Sequence, residues 1–385
     1  MSQAAVRDSM SATKLDDTTP ANSSAKPKSS QADPDTAAML PGGSCPLPVL
    51  HHDQIVLGHG SGGKLSAELL ERVFLPAFSN PTLDKLDDQA VLQVGHTRLA
   101  FTTDSFVVTP IFFPGGDIGR LAINGTVNDL AMSGAKPLYL AAAFILEEGL
   151  STDELCRIVE SMSDAARDAG VQLVTGDTKV VNKGKGDKIF ISTTGIGVVE
   201  REVNISADRA RPGDRIILSG YIGDHGMAIL SQRENLEWEG VIESDCAALH
   251  NLVSDMLDVS TEIRCLRDPT RGGVATVLNE IAARSDVGML LRETEIPVRE
   301  TVRGACELLG LDPLYVANEG KLIAIAPAEA ADAIVGRMRQ NPLGQDARVI
   351  GSVTVEHPGM VLMETEIGGT RVVDTLFGEQ LPRIC

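Results

Sequence analysis

Short apolar runs alternate with helical patterns in two halves of this chain, and a charged Pro-Gly segment separates the halves. The runs Arg98–Thr103, Val171–Thr175, Ile189–Val199, Arg215–Ser219, Lys321–Ala326, Val349–Val355 and Met360–Met363 read as strands. One helix is predicted to start at Ser151, with Glu154 completing a capping box and Gly170 supplying the stop. Its Leu155, Ile158, Val159 and Met162 recur at helical spacing. A second is predicted over Gly273–Arg284, with Val274, Val277, Leu278 and Ile281 on one face and Gly288 beyond its end. The segment Ser206–Arg215 carries Pro212-Gly213 and precedes a fresh apolar strand, so it marks the domain boundary. The expectation is an α/β or α+β fold of two domains, residues 49–208 and 209–373, with a tail over 374–385. Residues 1–48 are rich in Ser, Ala, Asp, Lys, Thr and Pro without hydrophobic period, and read as a disordered extension. Periodicity leaves the topology open.

A length of 385 residues favours two cores over one. Aromatic residues make up only 3%, so the cores must be built from Ala, Val, Ile and Leu, which suits an aliphatic α/β build. The net charge of -19 argues against nucleic acid as a partner, because little is available to neutralise a phosphate backbone. Acidity serves solubility, and is also compatible with carboxylates that hold divalent cations. The six cysteines, Cys45, Cys156, Cys246, Cys265, Cys306 and Cys385, include no C-x-x-C pair, so they suggest neither a zinc site nor a disulfide framework. No apolar run approaches membrane-spanning length, and no basic region followed by an apolar stretch opens the chain. A cytoplasmic enzyme without a membrane or nucleic-acid partner is expected.

Five motifs carry candidate chemistry. Gly58-His59-Gly60-Ser61-Gly62-Gly63-Lys64 precedes a helical pattern, where backbone N–H groups and a helix N-terminus can meet an anion. It lacks Walker A spacing, and a flexible surface turn explains the glycines as well. Carboxylates stand at expected strand ends, turns and one helical segment: Asp87-Asp88, Asp104, Asn128-Asp129, Asp177 followed by Lys179, and Asp268. Magnesium on a nucleotide takes a few such hard oxygens, although any one of these Asp residues is also an ordinary cap or turn residue. Glu319, in Asn318-Glu319-Gly320 before a strand, is a general base or a solvated turn. Arg271-Gly272-Gly273 opens the second helix and suits phosphate or close packing. The chain ends on Cys385, which is not at the prenylation position. Gly378 and Pro382 before it would make a mobile arm for a thiol that carries a covalent group.

Together HGSGGK (59–64), DDQA (87–90), TTDSFVV (102–108), NDLAMSGAKP (128–137), GDTKVV (176–181), DPTRGGVA (268–275), NEG (318–320) and PRIC (382–385) resemble the hydrogenase maturation factor HypE family of the AIR-synthase (PurM)-like superfamily. The resemblance runs from about residue 55 to the end, and the terminal Pro-Arg-Ile-Cys singles out HypE. It implies a two-domain PurM-like fold whose N-terminal sheet pairs with its twin in a homodimer. It further implies ATP-dependent dehydration of an S-carbamoyl group on Cys385 to a thiocyanate. The partner HypF would load the carbamoyl group, and a HypC–HypD scaffold would receive the cyanide. By position in these motifs, Asp88, Asp104, Asp129 and Asp268 are expected to hold Mg²⁺ or nucleotide. Gly60, Gly62, Gly63, Lys64, Thr103, Asn128, Gly176, Asp177 and Thr270 are expected at the ATP. Lys179 is a candidate for phosphate or carboxamide contact, Glu319 for the proton acceptor and Cys385 for the carrier.

Two rivals remain at this point. A selenophosphate-synthetase-like or other small-molecule ATP enzyme of the superfamily would have no need of a terminal cysteine. A nucleotide-binding assembly scaffold would have no need of the set of carboxylates.

Overall fold

In the computed structural model, which describes residues 54–236, 240–376, 378 and 383–385, the first half of the chain folds around an alternating strand. Strand β2 (Thr97–Phe106) buries Ala100, Thr102 and Phe106 and turns Phe101, Thr103 and Ser105 to the other face. It pairs antiparallel with β1 (Ala90–Val94) on one side and β7 (Ile189–Val198) on the other. Between them in sequence lie the short ribbon β3 (Phe112–Phe113) and β4 (Gly116–Asp117), then β5 (Lys136–Glu147) and β6 (Gln172–Val181). The sheet order is β1-β2-β7-β5-β6, all antiparallel except β5 with β6. Helix α4 (Thr152–Ala169) joins that parallel pair. Ser151 caps it by accepting from the N–H of Asp153, and Gly170 closes it in the left-handed region. The expected reciprocal capping contact is not made, because Glu154 is engaged with Lys188 at 3.1 Å instead.

Strand β5 has no signature in the hydrophobic pattern, and the reason is tertiary. Its Ala141–Ala143 run favours helix in isolation, but the segment is hydrogen-bonded on both sides by β7 and β6. Helix α3 (Ile118–Met132), preceded by α1 (Lys64–Leu69) and α2 (Leu75–Phe78), has no readable stripe either, since it is buried nearly all round. Asp117 starts it, with Oδ1 accepting from the N–H groups of Gly119 and Arg120.

The second half forms a seven-stranded sheet from β8 (Arg215–Leu218), β9 (Cys265–Arg267), β10 (Gly288–Arg292), β11 (Ile323–Ala326), β12 (Arg348–Thr354), β13 (Val361–Glu364) and β14 (Thr370–Val373), in the order β14-β13-β10-β12-β8-β11-β9. Alternation along its centre separates two cores. Ile216, Leu218, Ile323 and Ile325 join the core under helix α7 (Gly273–Ser285). Ile217, Ala324 and Ala326 join the core that contains α6 (His250–Val259) and continues into α3 and the first sheet. This shared core sets the two halves of the site against each other. Helix α5 (Asp224–Arg233) lies ahead of α6 in the chain. Among the described residues no helix is long and apolar enough to cross a membrane. The expected disordered extension, Cys45, and tail residues Phe377 and 379–382 lie outside the described residues.

Candidate active site

A cavity of about 260 Å³ opens between the two sheets, and Asp88, Asp104, Asp129, Asp268, Glu319 and the terminal Cys385 all line it. Their positions come from different local reasons. Asp104 was expected to follow its strand but lies inside β2, where its register residue on β7 is Thr193. The strand continues because the ladder to β7 runs on to Phe106. Asp129 projects from α3, and Thr102 Oγ1 stands 2.8 Å from its Oδ2 and 3.0 Å from the carbonyl of Asp88. Asp88 precedes β1, and Asp268 follows β9. Glu319 lies in a bend ahead of β11, which begins at Ile323, two residues later than expected. Its backbone N–H donates to Asp245 Oδ1 at 3.0 Å, and its side chain lines the cavity.

The electrostatics are those of a site with too much negative charge. Six lining carboxylates, counting Glu280, face the two guanidiniums of Arg267 and Arg271. Burial raises the pKa of Asp88, with Arg267 opposing, and burial likewise raises Asp129, with Asp268, Asp104 and Asp88 adding to the effect. Asp104 is raised by burial against the pull of Arg271. Asp268 is pushed up to about 6 by burial, again against Arg267. Glu319 rises well above the carboxylate range through burial and its acidic neighbours. Asp88 Oδ2 and Glu319 Oε1 are buried and have no hydrogen-bond partner among the described residues. A cation and hydrogen-bond donors on a ligand would relieve both conditions. No three such side chains converge on one point among the described residues. The donor set therefore fits an ion that takes one or two carboxylates and completes its shell from phosphate and water, as magnesium does on a nucleotide.

The glycine motif closes one edge. Gly62 has φ +76°, and a Cβ there would stand 2.7 Å from the carbonyl oxygen of Arg271, so only glycine permits this approach. Arg271 in turn donates to the carbonyl of Gly60 at 3.1 Å. Gly63 packs against Leu376, whose carbonyl accepts from the N–H of Lys64 at 2.9 Å. The Lys64 ammonium is held by Asp374 at 2.7 Å, so in this state it serves the base of the tail and does not line the cavity. Thr103 and Thr270 line the cavity.

Four expected residues stand elsewhere. Asn128 is fully buried; its amide donates to the carbonyls of Ala247 and Glu319 and accepts from Leu249, so it clamps α3 to the second half. Asp177 and Lys179 pair with each other on β6, exposed and away from the cavity. Gly176 has a packing reason, since a Cβ there would meet the carbonyl of Ala142 at 2.3 Å. Sequence reasoning missed Arg267, which carries no motif signal, and read Arg271 only for its backbone.

Two models of AIR synthase related protein match in tandem, the N-terminal domain over residues 86–199 and the C-terminal domain over residues 211–362. Carbamoyl dehydratase HypE of Azotobacter vinelandii is 59% identical over 336 residues, 87% of this chain and 98% of that protein. The chain belongs to the HypE family. A solved hydrogenase maturation protein HypE in complex with ATP is 53% identical and superposes with a TM-score of 0.73, covering 86% of this chain and all of that one (100%). A HypE in a HypE–HypF complex is 47% identical with a TM-score of 0.77, over 80% of this chain and 99% of that one. The two-domain AIR-synthase fold expected from the motifs is thus the fold of this HypE-family chain.

Proposed function

We propose that this protein uses ATP to dehydrate an S-carbamoyl group on its own Cys385 to a thiocyanate, which supplies cyanide for nickel–iron hydrogenase maturation. The observation that carries this reading is the terminal cysteine lining the same cavity as Arg271, Glu319 and the aspartates. The division into domains 49–208 and 209–373 with a tail from 374 belongs to the same reading.

The chemistry follows from the leaving group. An amide oxygen departs poorly as hydroxide, so the carboxamide oxygen attacks the γ-phosphorus of ATP and the bond to ADP breaks. The nitrogen loses one proton as the phosphorylated imidate forms. It loses the second as the C–O bond breaks, leaving S–C≡N and inorganic phosphate. The balance is one carbamoyl group and ATP in, one thiocyanate, ADP and phosphate out.

Glu319 is the proton acceptor in this scheme. It is buried beside the terminal residue, and burial with its acidic neighbours raises its proton affinity, which makes its ionised form a stronger acceptor. Arg271 opposes that rise and favours the ionised form, which is the form that can take a proton from nitrogen. Asp88, Asp104, Asp129 and Asp268 are the carboxylates from which one or two would hold a magnesium ion, which would offset phosphate charge. Arg271, exposed at the rim, faces the phosphate side. Gly60, Gly62, Gly63, Lys64, Thr103 and Thr270 serve the nucleotide; Lys64 does so after release from Asp374. HypF as carbamoyl donor, a HypC–HypD acceptor, a homodimer through the first sheet and work in the cytoplasm complete the proposal.

The test is intact mass of the full chain carrying a carbamoyl adduct. Water should be lost from the C-terminal peptide only with Mg-ATP. The Cys385→Ala protein should bind ATP with wild-type affinity and make no thiocyanate. Unchanged thiocyanate production by that variant would end the reading.

A further inference from the structure

The tail is docked by its main chain. The carbonyl of Arg383 accepts from the N–H of Thr109 at 3.2 Å and from Arg233 Nη2 at 2.8 Å. An oxygen of the Cys385 terminal carboxylate accepts from the N–H of Val107 at 3.0 Å. Between them, the carbonyl of Ile384 lies 2.8 Å from His225 Nε2. The Ile384 side chain is 3% exposed and joins the first core. Arg383 adds a bond from Nε to the carbonyl of Val107 at 3.2 Å and an ion pair with Asp187.

His225 is held for this task. It is fully buried on α5, with the Phe113 ring edge-on at 5.6 Å. A carbonyl can only accept, so Nε2 carries the hydrogen toward Ile384. In the neutral ring Nδ1 then accepts from Ser244 Oγ at 2.8 Å, and Ser244 Oγ accepts from the N–H of Cys246 at 3.1 Å. Burial keeps the His225 pKa below its ordinary value, in keeping with the neutral ring, while the nearby Asp245 opposes that shift.

We propose that His225, seconded by Arg233, is a positioning residue that seats the C-terminal tail through its carbonyls and therefore holds it whatever the sulfur carries. The bonds from His225, Arg233, Thr109 and Val107 end on oxygens that are the same in the thiol, the S-carbamoyl and the thiocyanate forms. Contacts made equally to several states shift no equilibrium among them. The seat thus fixes where an inward tail places its sulfur. Any change in how often the tail is inward must come from the sulfur's load or from the nucleotide. Without the His225 donor, a docked Ile384 carbonyl would be buried without its partner, and the docked population should fall about tenfold.

This inference rests on Cys385 as the carrier, so its experiment has one readout that does not need turnover. In the full-length protein, iodoacetamide labelling of Cys385 is followed by the mass of the C-terminal peptide. Dehydration is followed as a single turnover of the carbamoylated protein with Mg-ATP, and ATP affinity by calorimetry. His225→Leu should label about tenfold faster, dehydrate about tenfold slower and bind ATP within about twofold of wild type. His225→Gln, which keeps an N–H donor at similar reach, should recover most of both losses. Carboxypeptidase release of the last residues should accelerate by the same factor in thiol and S-carbamoyl forms of His225→Leu. The proposal is overturned if labelling stays at the wild-type rate, if Gln is no better than Leu, or if the acceleration depends on the load. Should His225→Leu fail to fold, Arg233→Met must show the faster labelling, and its absence overturns the proposal as well. Wild-type protein that labels slowly but makes no thiocyanate would instead remove the Cys385 reading and leave the seat standing.

Discussion

Arg267 Nε stands 2.7 Å from Asp88 Oδ1, and this ion pair ties β9 of the second sheet to the segment ahead of β1 in the first. Both side chains are nearly out of solvent, and Arg267 also reaches Glu280 at 2.9 Å. Removing one member of such a pair leaves a buried charge without compensation. Arg267→Met should therefore cost about 3 kcal/mol, visible as a lower thermal midpoint. The double variant Arg267→Met with Asp88→Asn should regain part of that loss. If Arg267→Met melts like the wild type, the pair contributes nothing to holding the halves together.

Asp129→Asn should separate folding from turnover. The amide keeps the shape of the carboxylate and can still accept from Thr102, while it relieves repulsion from Asp268, Asp104 and Asp88. The thermal midpoint of the nucleotide-free protein should stay level or rise by about a few degrees. ATP turnover by the carbamoylated protein should fall at least about tenfold, because a hard anionic oxygen has been lost. Normal turnover would make Asp129 a structural residue.

His225 gives a pH dependence with a definite sign. Its folded pKa lies below the ordinary value of 6.5 because it is buried. Between the two values the unfolded chain takes up a proton that the folded chain refuses, so its contribution is complete above about pH 6.5 and is lost as pH falls. The raised carboxylates of the cavity act in the opposite sense, but equally in a His225→Gln variant. Urea unfolding of both proteins isolates the histidine. The stability difference between wild type and His225→Gln should be larger at about pH 7.5 than at about pH 5.5. A difference independent of pH would mean that His225 is not held neutral.

Much of this site could be read before any coordinates. Asp88, Asp104, Asp129, Asp268, Glu319 and Cys385 meet at one cavity because each stands near a strand end, a turn or the inner face of α3 where the two halves touch. What the sequence hid was whatever depends on packing between distant segments. Arg267 reads as one more residue at the end of a short strand, and its role exists only because Asp88 is folded against it. Asn128 sits in the right motif, but the second half of the chain occupies its amide. His225 sits in no periodic pattern, and its partner is 159 residues away. Strand β5 was invisible for the same reason, since its Ala-rich run becomes a strand only between β7 and β6.

The face of the first sheet turned away from α3 carries the last prediction. Phe101, Tyr139, Ile145 and Ile196 are each 39–45% exposed there, and the register sets Ile196 opposite both Phe101 and Tyr139. A row of apolar side chains across neighbouring strands calls for a cover, and the cover we propose is a second copy of the chain in a two-fold contact. Tyr139→Asp should therefore halve the mass seen by light scattering, from twice 40.8 kDa to 40.8 kDa. Lys179 stands on this same face, in register with Ile145 and outside its own cavity, so its proposed contact with the carboxamide would have to be made across the proposed interface. Mixing distinguishes that route from action within one chain. Lys179→Ala and Cys385→Ala homodimers should both be inactive. A heterodimer of the two contains one chain with an intact tail, whose partner still offers Lys179, and it should recover dehydration in that one site. A heterodimer as inactive as its parents would confine Lys179 to its own chain, and a wild-type protein of single mass would remove the dimer altogether.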